Sequence, residues 1–280
     1  MVMDIAYGPD ALHTFDFYPA PSSAHTAPLL VFVHGGAWRS EDKSQHADLA
    51  HTLVRLTGIS VVVPDYRLTT PQTPIRHPAH ASDILRFLHF LITWRGPAAS
   101  DLPPSRLYLL GHSCSAHMLA STLLASPFPE LTPSQDVLQA VRGVVISEGI
   151  YDIDILLRSF PGYREWFIAN TFGDLSGYPD VNVASYPSRA GGEHIRWLVL
   201  HSSGDVLVDQ LQSEIMFAHL SSIADIGATA VELSGSESVP RVSKNFDELH
   251  EGHNELLRGE IYPRLVADFI ATDAVASEGG

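Results

Sequence analysis

Short, wholly apolar runs alternate along the chain with segments whose apolar side chains recur every three or four positions. Leu29–Val33, Ile59–Val63, Leu107–Leu110, Val141–Ile146, Ile195–Leu200 and Ala228–Leu233 carry the strand pattern. Leu49, Leu53 and Val54 share one helical face in a segment that Ser44 can cap and Gly58 ends. Ile84, Leu85, Leu88, Leu91 and Ile92 share another within His80–Arg95, closed by Gly96-Pro97. Ala116–Leu124, Asp209–Leu220 and Glu255–Ala271 complete the expected helices. Strands apolar on both faces, alternating with helices, predict an α/β fold with a mostly parallel sheet covered on both sides. Residues 151–192 break the rhythm: they hold Phe160, Tyr163, Trp166, Phe167, Phe172, Tyr178 and Tyr186 and show no strand pattern. They are expected to form a lid-like insertion within a single domain spanning residues 1–280. Thr272–Gly280, small and acidic, is expected to fray.

Composition narrows the functional classes. The 280 residues carry 17 Lys+Arg against 32 Asp+Glu, a formal net charge of −15, with no basic cluster. That balance argues against a nucleic-acid backbone or an anionic membrane as partner. The single cysteine, Cys114, excludes an intrachain disulfide. Residues 1–8 have neither the basic nor the apolar region of a signal peptide, and no apolar run approaches the roughly 18 residues of a membrane span. A cytoplasmic protein is expected.

Three stretches carry candidate chemistry. Gly111-His112-Ser113-Cys114-Ser115 lies between a strand and a helix, where a tight turn projects a serine hydroxyl above the sheet. Ser113 is the candidate nucleophile, and Ser115, in place of the usual glycine, is expected to pack the turn. In His34-Gly35-Gly36-Ala37-Trp38 the paired glycines let backbone amides approach a developing oxyanion, while His34 braces the loop. The third stretch is Ser202-Ser203-Gly204-Asp205 together with His250-Glu251-Gly252-His253-Asn254. A serine needs a neutral imidazole to take its proton and a carboxylate to hold that imidazole, and the chain order Ser…Asp…His supplies both. Asp205 is preferred to Asp152, Asp154 and Asp209, the last as a helix cap, and His253 is preferred to His250. His250 and His253 lack the His-Glu-x-x-His spacing of zinc sites, and the other histidines are scattered, so neither metal nor cofactor is expected.

These residues resemble α/β-hydrolases of the hormone-sensitive-lipase group and, more narrowly, fungal kynurenine formamidases (arylformamidases). The resemblance runs through His34-Gly-Gly-Ala-Trp38, Asp65-Tyr-Arg-Leu68, Gly111-His-Ser113, Gly149-Ile-Tyr-Asp152 with Leu156-Leu157, His201-Ser-Ser-Gly-Asp205 and His253-Asn254, over about residues 28 to 270. It implies Ser113, Asp205 and His253 as the triad and the amides of Gly35, Gly36 and Cys114 as the oxyanion hole. It also implies hydrolysis of N-formyl-L-kynurenine to kynurenine and formate, in tryptophan breakdown. Trp38, Phe160, Tyr163, Trp166 and Phe167 are expected to bind a small aromatic substrate, the Trp38 indole crowding the acyl end so that only short acyl groups fit. The competing readings are an esterase or a lyase- or cyclase-like enzyme of secondary metabolism and, from another class, a non-catalytic ligand receptor. Self-association as a homodimer is left open.

Overall fold

The computed structural model describes residues 1–21, 28–97, 103–104, 106–228 and 240–278. Among these, eight strands form one sheet: β1 (Val2–Ala6), β2 (Thr14–Tyr18), β3 (Leu29–Val33), β4 (Ser60–Pro64), β5 (Leu107–His112), β6 (Val141–Ser147), β7 (Arg196–Leu200) and β8 (Val242–Asn245), in the order β1-β2-β4-β3-β5-β6-β7-β8. From β4 to β8 all pairings are parallel; β1 and β2 run antiparallel. The helices are α1 (Ala47–Thr57), α2 (Ala79–Leu91), α3 (Cys114–Leu123), α4 (Gln135–Ala140), α5 (Ile153–Ser159), α6 (Ala169–Phe172), α7 (Gln210–Ala228) and α8 (Ile261–Glu278).

The all-apolar strands have a direct reason. Side chains alternate across a strand, so Leu30 and Phe32 of β3 enter one core with Leu49 and Leu53 of α1 and Tyr262, Val266 and Phe269 of α8. Leu29, Val31 and Val33 enter the opposite core with Ile84 and Leu88 of α2 and Met118 and Leu119 of α3. Leu109 against Leu110, and Val199 against Leu200, divide in the same way. Both faces are therefore apolar and covered, and the loops at the strands' carboxyl ends are left to form a site.

Some expectations require correction. Ser44 caps no helix: Asp42 Oδ1 accepts its N–H at 2.8 Å, opening a 3-10 turn over Lys43–His46 before α1. The strand expected at Ala228–Leu233 lies outside the described residues except for Ala228, which ends α7. The strand paired with β7 is β8, whose Ser243, Lys244 and Asn245 lack the apolar signal because an edge strand is only partly covered. β1, the opposite edge strand, is exposed for the same reason, whereas β2 is buried and owes its mixed pattern to Asp16, which lies between Phe15 and Phe17 and accepts the Asp4 N–H at 3.0 Å. Past Thr272, α8 runs on to Glu278. Residues 151–192, between β6 and β7, hold α5, a π-helical turn over Arg164–Ile168, α6 and two 3-10 turns, and no strand.

Candidate active site

The turn from β5 into α3 sets Ser113. Gly111 leaves no room for a side chain: a Cβ there would sit 3.0 Å from the Ala116 backbone and 2.9 Å from Leu119 Cδ1. The helix start can therefore press against the strand end. Ser113 is held at φ 58°, ψ −124°, a conformation rare for a residue with a side chain, and its N–H donates to Ser147 O at 2.9 Å. Ser115 is wholly buried. Its hydroxyl lies 2.6 Å from Val33 O and 2.9 Å from His112 O and accepts the His112 N–H at 2.7 Å. It fastens the elbow to β3.

The loop after β3 lies against this elbow, with Gly35 close enough that a Cβ would stand 3.2 Å from Ser113 Cβ. Gly36 has φ +93°, and a Cβ there would strike Ser40 O, so only glycine fits. Tyr66 donates its hydroxyl to Gly35 O at 2.8 Å, and the Trp38 N–H donates to Cys114 Sγ at 3.3 Å. Burial pushes the Cys114 thiol up to about 12, so it serves as a packed acceptor rather than a nucleophile. His34 braces the loop, its ring stacked on Tyr66 at 4.5 Å and its Nδ1 3.0 Å from Gly35 O.

The loops after β7 and β8 are stitched together. Ser203 N–H donates to Leu249 O at 2.9 Å, and Ser202 Oγ donates to Glu251 O. Across this seam His253 Nδ1 lies 2.7 Å from Asp205 Oδ2, and Asp205 Oδ1 accepts the N–H groups of Leu207 and Val208 at 2.8 and 3.1 Å. Burial alone would raise the Asp205 carboxyl, but the hydrogen bond and charge of His253, with the Leu207 N–H, hold it well below the usual carboxylate range. Of the other candidate acids, Asp152 and Asp154 are engaged elsewhere, and Asp209 Oδ1 is buried without a hydrogen-bond partner among the described residues. Asp152 caps α5 through the Ile155 N–H at 2.9 Å, Asp154 binds Tyr178 N and Asn182 Nδ2, and Asp209 stands just before α7. His250 is exposed and pairs with Ser203 Oγ at 2.8 Å.

Ser113 and His253 open together on a cavity of about 200 Å³, which Gly36, Ala37 and Glu41 line on one side. Tyr163, Trp166 and Phe167 cover it from the insertion, and Ile150, Leu207 and Val208 complete the apolar wall. The insertion is tied to both flanks: Tyr163 donates to Leu207 O at 2.9 Å, and Arg39 Nη1 to Trp166 O at 2.8 Å.

Two of the residues expected to bind substrate do not line this cavity. Trp38 has no exposed surface and lies in the core between His117 and Phe172, because left-handed conformations at Ala37 and Trp38 turn the indole inward. Phe160 does not line the cavity and instead stacks on Tyr163 at 4.9 Å. Sequence reasoning also missed Ile150, Leu207 and Val208, which are ordinary apolar residues with no local signature, and Glu148, for which the signal was a charge directly after the apolar strand β6.

Among the described residues, two groups crowd histidine and carboxylate atoms within 4.8 Å of one another: His34 with Glu41 and His46, and Glu148 with Asp205 and His253. Both are internally bonded networks. His46 Nε2 lies 3.2 Å from Glu41, and His253 Nδ1 is taken by Asp205. Also among the described residues, no helix is long and apolar enough to cross a membrane.

Comparison with known proteins bears on the family and the fold. The chain is 33% identical over 175 residues to a kynurenine formamidase of Drosophila melanogaster, covering 60% of this chain and 54% of that one. It is 27% identical over 279 residues to the esterase LipQ of Mycobacterium tuberculosis, covering 96% and 60%. The chain thus spans little more than half the length of these curated relatives. A truncated carbohydrate esterase from gut microbiota superposes with a TM-score of 0.73 at 15% identity, over 98% of this chain and 95% of that one, which places the fold among the α/β-hydrolases. The BD-FAE family model matches residues 15–154, half of the chain, from β2 through the β3 loop and the serine elbow to the start of the insertion. The chain belongs to the BD-FAE family of α/β-hydrolases.

Proposed function

We propose that the protein is a serine hydrolase that removes a small, formyl-like acyl group from an aromatic amide or ester, with N-formyl-L-kynurenine as the leading substrate. The observation that carries this reading is the Asp205–His253 pair at 2.7 Å, opening with the strained Ser113 on one cavity lined by Tyr163, Trp166 and Phe167. Ser113 Oγ attacks the acyl carbon as His253 takes its proton, and Asp205 stabilises the imidazolium. The oxyanion accepts hydrogen bonds from the amides of Gly35, Gly36 and Cys114. Collapse expels the amine or alcohol, which takes the proton from His253. Water, activated by the same imidazole, then releases the acid and restores Ser113. The Glu41 carboxylate is held low, despite its burial, by the hydrogen bond and charge of His46, and it lines the cavity where an ammonium-bearing substrate would complement it. The relatives that are kynurenine formamidases support the choice of substrate.

A general esterase is the second reading. It is favoured by the apolar rim, with Trp166 48% and Leu207 38% exposed, and by the alignment to an esterase over nearly the whole chain. Turnover of N-formyl-L-kynurenine, measured beside aryl esters from formyl to butyryl and longer, separates the two. Each methylene refused by a tight site costs about 10- to 200-fold in kcat/KM. A steep fall with acyl length supports the formamidase reading, and a flat or rising profile supports the esterase. Failure to label with a fluorophosphonate probe would leave the ligand receptor.

A further inference from the structure

Glu148 follows β6 with its side chain wholly buried and its backbone at φ +50°, a region that a residue with a side chain rarely occupies. Its N–H donates to Leu200 O at 3.2 Å, which binds this strained residue to the end of β7. Oε1 accepts the Ser202 N–H at 2.6 Å. Oε2 is buried and accepts no hydrogen bond; His201 Nδ1 lies 3.3 Å away but bonds Ser213 Oγ at 3.0 Å. The carboxyl is turned instead toward Asp205, in the cluster whose Glu148, Asp205 and His253 atoms all lie within 4.8 Å. Among the described residues the titratable groups facing Glu148 are Asp205, His201 and His253 from the adjoining loops, with Tyr151 and Tyr262 nearby, and none of these is a Lys or Arg. Two buried carboxyls cannot both ionise at such a distance without a cation, and two that touch must share a proton.

We propose that Glu148 is a neutral carboxylic acid whose Oε2–H donates to the Asp205 carboxylate, making it a positioning residue for the carboxylate that orients His253. The inference rests on the serine-hydrolase reading for its catalytic consequence only. Burial, followed by the hydrogen bond and charge of Asp205, pushes the Glu148 carboxyl up to about 11, in accord with the geometry. Asp205 carries the negative charge that the imidazolium needs, and Glu148 supplies a donor without cancelling that charge. A lysine or arginine here would neutralise it.

The test compares Glu148→Gln, which keeps a neutral donor, with Glu148→Leu, which removes it. Glu148→Gln should retain kcat within about threefold and keep the acid limb of the kcat/KM–pH profile in place. Glu148→Leu should lower kcat by about 10- to 100-fold with KM little changed, the worth of a hydrogen bond to a charged group. An ionised Glu148 would reveal itself otherwise: Glu148→Gln would move the acid limb down by about a unit through loss of a like charge beside Asp205. The second readout needs no activity. Infrared difference spectra of wild type against Glu148→Gln near neutral pH should show a protonated-carboxyl C=O band belonging to the wild type. Absence of that band, or the shifted limb, overturns the proposal even if Glu148→Leu fails to fold. Failure of the hydrolase reading is distinct: Ser113→Ala would keep its turnover while the band persisted.

Discussion

At the scale of single residues, two serines separated by one position do different work. Ser113 is buried but lines the cavity and belongs to neither hydrophobic core, so Ser113→Ala should keep its melting temperature and lose fluorophosphonate labelling. Only the ~10³–10⁴-fold advantage over water that binding and the oxyanion hole supply should remain. Ser115→Ala leaves Val33 O and the His112 N–H without their partner, and should cost about 1–3 kcal/mol in denaturant unfolding. A Ser113→Ala protein that still turns over would overturn the assignment. The same contrast separates two acids. Asp205→Asn presents His253 with the wrong partner and should lower kcat by up to ~10⁴ with KM nearly unchanged. Asp152→Asn weakens the cap of α5, worth about 1 kcal/mol at most, and should spare the chemical step.

At the scale of elements, the loop after β3 and the insertion divide structure from recognition. Trp38 is a core residue, so Trp38→Ala should destabilise by about 3–5 kcal/mol, read as a lowered denaturation midpoint, and should not open the acyl end of the site. Trp166 is 48% exposed and lines the cavity. Trp166→Ala should leave stability within about 0.5 kcal/mol and raise KM for aromatic substrates more than for aliphatic esters of the same acyl group. Equal KM changes for both classes would remove the insertion from substrate recognition. The apolar pattern predicted α1 and α2, which each bury one continuous face, and α3 and the central strands, which are buried all round. It did not find β8, which as an edge strand carries Ser243, Lys244 and Asn245.

At the scale of the whole molecule, acid stability follows from buried histidines. Burial lowers His77 and His112 well below 6.5 and His80 and His117 to about 4. Each is neutral when folded and takes a proton when unfolded, so its contribution is intact above about 6.5 and lost as pH falls toward the folded value. Asp205, also lowered, adds to the loss only below its ordinary value of 3.8. The melting temperature should therefore drop steeply between about pH 6.5 and 4, each such histidine contributing up to about 1.4 kcal/mol per pH unit. A flat profile there would mean that the histidines are charged in the folded chain. Glu148 acts with the opposite sign: it is protonated when folded and ionised when unfolded, so stability falls as pH rises above 4.5. Glu148→Gln should gain on the wild type as pH increases, by up to about 1.4 kcal/mol per unit.

The sequence by itself determined the parallel sheet, the serine elbow and the chemical class of the site. Apolar strands covered on both faces, a Gly-x-Ser turn before a helix, and the order Ser…Asp…His are local patterns that secondary structure imposes on a chain. Only the tertiary structure decided which side chains share the cavity. Trp38 left it because successive left-handed residues turned the indole into the core, and Phe160 left it by stacking behind Tyr163. Ile150, Leu207 and Val208 entered it from loops distant in sequence. Glu148 met Asp205 only because β6 and β7 lie side by side with their carboxyl ends at one level. Contacts between strand ends depend on the sheet's order and register, and neither is written in the local pattern of any single strand.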